Sequence, residues 1–157
     1  MQAFREIEEA YGEMLEEMLC YALEHRASKS TLHRIFYNRF REKYPWIPTR
    51  VIKGCYRDAI RRARSFKKLK KKGQAKRDRP EMIRSIKLIY FDSQDWRLKE
   101  GAVEVRTYRV WIRIVYRNHK QLHRYLHNSW RPSSELRLKI AGGRILIVGR
   151  DAKCFVQ

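Results

Sequence analysis

A chain of 157 residues with 37 lysines and arginines against 17 aspartates and glutamates has a formal net charge of +20; it can bury one good core or two small ones, and nothing larger. No apolar run approaches the roughly 20 residues that span a bilayer, and the amino terminus opens on glutamates instead of a secretory leader, so a cytoplasmic location is expected. Three scattered cysteines, Cys20, Cys55 and Cys154, without a Cys-x-x-Cys pair, argue against a disulfide framework and read as buried free thiols.

The first element predicted is a helix from Gln2 to about His25, where Phe4, Ile7, Tyr11, Met14, Met18 and Tyr21 or Ala22 recur at spacings of three and four. Residues 1–27 hold seven glutamates against Arg5 and Arg26. This acidic helix either faces solvent or packs against the basic segment and screens part of its charge. Ser28 and Ser30 are candidate caps for a second helix carrying Leu32, Ile35, Phe36, Phe40 and Tyr44, which Pro45 and Pro48 terminate. Thr49 is a candidate cap for a third. On it Val51 or Ile52, Cys55, Ala59, Ala63, Phe66 and Leu69 form an apolar stripe, and Lys53, Arg57, Arg61, Arg62, Arg64, Lys67, Lys68, Lys70, Lys71 and Lys72 take the remaining surface. A helical period spreads those charges around most of the circumference, so contact with more than one phosphate strand is expected.

Between Lys53 and Arg79 thirteen basic residues face two acidic ones, a net of +11. Self-repulsion at that density is relieved by a polyanion, and the arginines and aromatic residues that accompany the lysines favour nucleic acid over a membrane surface. The abundance of charges of both signs, with few asparagines and glutamines, is also compatible with a thermophile.

Residues 73–81 read as a basic linker with Gly73 and Pro80, and from there the period changes. Ile83 to Phe91 alternates, Trp96-Arg97-Leu98 and Val103 to Thr107 flank a turn at Glu100-Gly101, and Tyr108 to Tyr116 carries β-branched and aromatic residues at period two, so strands joined by hairpin turns are expected. Asn118 to Trp130 reads as a helix with Leu122 and Tyr125 or Leu126 on one side, ended by Pro132. Glu135 to Ile140 and Arg144 to Val148 flank Ala141-Gly142-Gly143, a strong short-hairpin signal. The expected class is therefore α+β: a helical domain over 1–72, the linker over 73–81, and a small antiparallel sheet or barrel with one helix over 82–157. In the strand half, Arg109, Arg113 and Arg117 have the parity opposite to Val110, Ile112 and Ile114, giving either a solvated sheet face or a second basic surface for RNA.

Catalytic signatures are thin. His119, His123 and His127 share one helix face, but no acidic residue or cysteine lies near in sequence to complete a metal site. Asp92 and Asp95 are a close acidic pair of ordinary turn composition, and there is no Gly-rich phosphate loop and no hydrolase motif. The sequence thus predicts a binder with no catalytic residues, no metal and no cofactor. Exposed tyrosines or Trp46 could stack on bases, although aromatic residues at these spacings more often form a core.

Several stretches together resemble the N-terminal lobe of the OrfB/TnpB proteins of insertion-sequence transposons, relatives of the type V CRISPR effector nucleases. They are Ile47-Pro48-Thr49-Arg50-Val51-Ile52, the Ala/Arg-rich run Tyr56 to Phe66, the lysine-rich linker Lys70 to Pro80, the strand Arg84 to Tyr90, the Trp96 to Val105 hairpin, the strand Trp111 to Ile114 and the hairpin from Glu135 to Val148. In that family a helical recognition domain precedes a β wedge domain, and the lobe helps grip guide RNA, the guide-target heteroduplex and flanking duplex DNA. Family members begin with a β-strand and continue into a RuvC-like nuclease and a zinc ribbon. This chain starts on the helix and stops at Gln157. The resemblance therefore implies the holding part without the cutting part, with structured RNA, heteroduplex or duplex DNA as partner. An open sheet edge left by the missing strand would suit pairing with a second copy. Two other readings compete: a stand-alone nonspecific nucleic-acid binder with a regulatory or structural role, and a metal-dependent nuclease using Asp92, Asp95 and the histidines.

Overall fold

The apolar spacing of the first segment produces α1 (Gln2–Glu24), whose Ile7, Tyr11, Met14, Leu15, Met18, Leu19 and Ala22 are buried. The computed structural model describes residues 2–80, 87–91, 94–99, 101–107, 110–116, 135–141, 144–148 and 153–155. Three helices come first, then antiparallel strands, which is the α+β order read from the sequence. The chain divides into two units, Ile7–Arg84 and Met1–Glu6 with Ser85–Gln157.

In the helical unit Ser28 caps α2 (Lys29–Lys43), its hydroxyl accepting from the Thr31 amide at 3.1 Å, while the Ser30 hydroxyl bonds to Ser28 instead of capping. Leu32, Phe36 and Phe40 are buried, whereas Ile35 is exposed. α1 and α2 are tied by Tyr21 edge-on to Phe36, by Glu17 with Arg39, and by Glu13 with Lys43 and Tyr44. That sequence of contacts runs the two helices antiparallel. The acidic helix thus spends Glu13 and Glu17 on α2, and it also packs against the basic segment as expected, with Leu19 and Ala22 on Ala63 and Glu24 facing Arg79. Arg41 closes the following loop, donating to the Ile47 carbonyl at 2.8 Å and to that of Pro45 at 3.3 Å.

α3 (Thr49–Lys71) starts on Pro48, with no side-chain cap. Thr49 is already helical, because the fixed φ of the proline and its free carbonyl, which accepts from Val51, begin the helix without a hydroxyl. Its last turn closes at Gly73, φ +67°, with the Gly73 amide on the Lys70 carbonyl and the Gln74 amide on that of Leu69. These two bonds form a Schellman stop, and only glycine takes that φ without strain. Gly73 is therefore the end of the helix as well as the start of the linker.

In the other unit β2 (Trp96–Lys99), β3 (Ala102–Arg106) and β4 (Trp111–Val115) form one antiparallel meander, with Gly101 at φ +67° where Lys99 turns opposite Ala102. β1 (Lys87–Phe91), β5 (Glu135–Ala141), β6 (Arg144–Val148) and β7 (Lys153–Phe155) form a second sheet in the order β1-β5-β6-β7. The expected β1–β2 hairpin is not formed: β1 pairs with β5, Ile89 opposite Arg137. Period-two patterning defines a strand but not its partner. β5 and β6 pair as expected, Ala141 opposite Arg144. The helix expected over 118–130 lies outside the described residues.

Candidate nucleic-acid interface

The charge on α3 is shaped from behind by packing. Val51, Ile52, Gly54, Cys55, Tyr56, Asp58, Ala59, Ile60 and Ala63 are all buried, a far broader set than the stripe read from the sequence. α3 needs two apolar faces because it lies against both other helices. Ala63 joins Leu19 and Ala22 of α1, and Tyr56 meets His33 of α2 with ring centroids 5.9 Å apart. At about 100° per residue the buried positions up to Ala63 sweep roughly 240° of the circumference.

The cations are left the remainder. Lys53, Arg57, Arg61, Arg64, Lys68 and Lys71, all exposed, follow one another at intervals of three and four and fall within an arc of about 80°. They make a straight row about 27 Å long. The expected spread around the helix thus holds only past Ala63, where every residue from Arg64 to Lys72 is exposed except the half-buried Phe66. Leu69, assigned to the apolar stripe, is 42% exposed.

Three of the other predicted cations on α3, Arg62, Lys67 and Lys70, are engaged within the protein. Arg62 is half-buried, its Nε 3.1 Å from Asp58 Oδ1 one turn earlier but not aligned to donate a hydrogen bond there. Lys67 donates to the Ala22 carbonyl at 2.9 Å, satisfying an acceptor in the last turn of α1. Lys70 pairs with Asp78 of the linker at 3.1 Å, and Arg79 stands 3.9 Å from Glu24. None of the ion pairs formed among the described residues engages Lys53, Arg64, Lys68, Lys71 or Lys72. Arg50 lies on the same angular line as the row and was missed as a binding candidate; its spacing of three from Lys53 was the available signal.

Behind the row lies an imperfect polar interior. Tyr11 is fully buried and its hydroxyl has no partner, as is true of Asp58 Oδ2. Burial first, then the neighbouring Cys55 and Asp58, push the Tyr11 phenol well above its usual range. Burial likewise pushes the Cys55 thiol up, so this cysteine is a packing residue and not a nucleophile. On α1, the hydrogen bonds from Lys43 and then Tyr44 hold the Glu13 carboxyl below the ordinary glutamate range.

In the strand unit Arg113 is exposed on β4, opposite Glu104. Ile112 and Ile114 turn inward as expected, but Val110 precedes the strand and is 56% exposed. Arg109, Arg117, Asp92, His119, His123 and His127 lie outside the described residues. Asp95 is buried before β2. Among the described residues no group of three His, Cys, Asp or Glu side chains converges as a metal site, and no helix is long and apolar enough to cross a membrane. Trp46 is half-buried against Tyr44 and no isolated stacking platform.

Residues 7–106, from α1 through α3 to the end of β3, match the family described as Uncharacterized protein MJ0013 family, and the chain belongs to that family. No curated protein matches the chain. No solved structure matches it either.

Proposed function

We propose that this member of the MJ0013 family is a cytoplasmic nucleic-acid-binding protein that acts by holding its ligand and not by catalysis. The observation that carries this reading is the single row of six exposed cations along α3, backed by a buried arc that prevents the helix from turning its charge elsewhere. Side chains at spacings of three and four lie about 5–6 Å apart and can each neutralise one phosphate of a backbone running alongside. Contacts of this kind position a ligand and carry no base information. The free thiols of Cys20 and Cys55 suit a reducing compartment. The resemblance to the OrfB/TnpB lobe implies structured RNA, an RNA–DNA heteroduplex or duplex DNA as the physiological ligand. A nonspecific structural binder is the alternative, because the row by itself makes no distinction between them.

Replacing Lys53, Arg64, Lys68 and Lys71 together with alanine tests the proposal. The helical circular dichroism should be retained, since none of the four is buried. Affinity for duplex DNA should fall by at least about tenfold at low salt, and the slope of log K against log salt should become shallower by about 3.6. Unchanged affinity with an intact fold would remove α3 as the interface.

A further inference from the structure

The β2–β3–β4 sheet carries a second surface of different chemistry. Its inner side buries Trp96, Val103, Val105 and Ile114. Strand alternation then fixes the outer side. The register places Arg97, Glu104 and Arg113 in one row across the three strands, with Arg106 opposite Trp111 in the next. Arg97, Arg106, Trp111 and Arg113 are exposed. Glu104 is the one half-buried acid among them. The Arg97 guanidinium lies 4.4 Å from the centroid of the Trp111 ring, yet Trp111 remains 37% exposed.

The geometry points to a stacking site for an unpaired base of single-stranded nucleic acid on Trp111, with Arg106 and Arg113 as the partners of its flanking phosphates. Arg97 covers one face of this indole, so a base would stack on the other, and a π-face accepts any base. Arg97 holds the ring in place before binding, so less side-chain freedom is lost when a base lands on it. Arg106 sits directly across the ladder from Trp111 and Arg113 two residues along the same strand, within about 7 Å, a spacing that lets one nucleotide engage the ring and a cation together. A second protein copy or an acidic peptide would find the charge, but neither needs the ring. This inference rests on the nucleic-acid reading above and concerns a separate set of side chains, so the two can fail independently.

The test measures binding of the full chain to an unstructured oligouridylate RNA, to the same backbone without bases, and to duplex DNA. It compares Trp111→Ala, Trp111→Phe, and Trp111→Thr, a β-branched residue suited to an edge strand, should the alanine variant fold poorly. Loss of the ring should weaken oligouridylate binding by about tenfold, and phenylalanine should recover most of it. Binding of the abasic strand and of the duplex should not change. Equal loss on all three ligands, no loss on any, or a change of oligomeric state in place of RNA affinity would overturn the stacking site. If Trp111→Thr does nothing while the four-alanine α3 variant loses duplex binding, the stacking site fails alone; if neither variant alters binding, the nucleic-acid reading fails with it.

Discussion

The α3 row and the outer side of the β2–β3–β4 sheet are both basic and both exposed, yet they are made in opposite ways. On α3 the pattern is imposed by what is buried: two neighbouring helices cover about two thirds of the circumference up to Ala63 and confine the cations to one line. On the sheet it follows from alternation alone, which puts Trp111 and Arg113 on one face whatever lies beyond. The first surface presents charge with almost no exposed ring; the second presents a ring flanked by charge. Equal signs of charge therefore do not mean equal chemistry: the ligand proposed for the row is a paired backbone, and that proposed for the sheet face is an unpaired base.

Removing the support behind α3 should separate the two surfaces most sharply. Ala63→Asp places a carboxylate against Leu19 and Ala22 and should cost the helical unit at least about 3 kcal/mol, with loss of helical circular dichroism and of duplex binding together. Duplex binding that survived loss of the helices would break the assignment of the row. A smaller effect distinguishes neighbouring arginines. Arg64→Ala should leave stability within about 0.5 kcal/mol and make the duplex salt slope shallower by about 0.9. Arg62→Ala should do the reverse, costing about 1–3 kcal/mol because Asp58 stays buried without its partner, with the slope unchanged.

Weaker still is the pH response of the α1–α2 contact. Because Lys43 and Tyr44 hold the Glu13 carboxyl below its usual range, its contribution is complete above the unfolded glutamate value and is lost as pH falls through the lower folded value. Thermal unfolding at descending pH should show this acid loss in the wild type and less of it in Glu13→Gln; the effect is small because the carboxyl is exposed. Smallest of all is Tyr11→Phe. Removing a buried hydroxyl that has no partner should be neutral or stabilising by up to about 1 kcal/mol in a urea titration, whereas a clear loss of stability would mean that the hydroxyl is bonded.

Much of the architecture was legible in the sequence for local reasons. Spacings of three and four define α1 to α3, Ser28 announces a cap, Gly101 takes the positive φ where β2 leads into β3, and β5 pairs with β6 as the Gly-Gly signal predicts. What was not legible is non-local. Nothing in the run Lys87 to Phe91 says that its partner is β5 and not the adjacent β2. Tyr56 and Ile60 fall outside the single stripe that the spacing defines on α3, and they are buried because two helices pack against it. Arg62 looked like one cation among many, because its burial beside Asp58 depends on that same packing. Trp111 was the opposite case: its parity with Arg113 was visible, but an aromatic residue in a strand is ordinarily core, and only the register and exposure of three strands place it outside.

The most direct measurement is a salt titration of the wild-type chain on an RNA hairpin, an RNA–DNA heteroduplex and a DNA duplex of matched length. With about six phosphates neutralised by the row, log K on the duplex should fall with log salt at a slope of about −5, and a preference for RNA or heteroduplex that persists as salt rises would favour a guide-holding lobe over a nonspecific binder. A slope near zero, or no measurable binding to any of the three at low salt, would contradict the assignment of α3 as a phosphate-binding row.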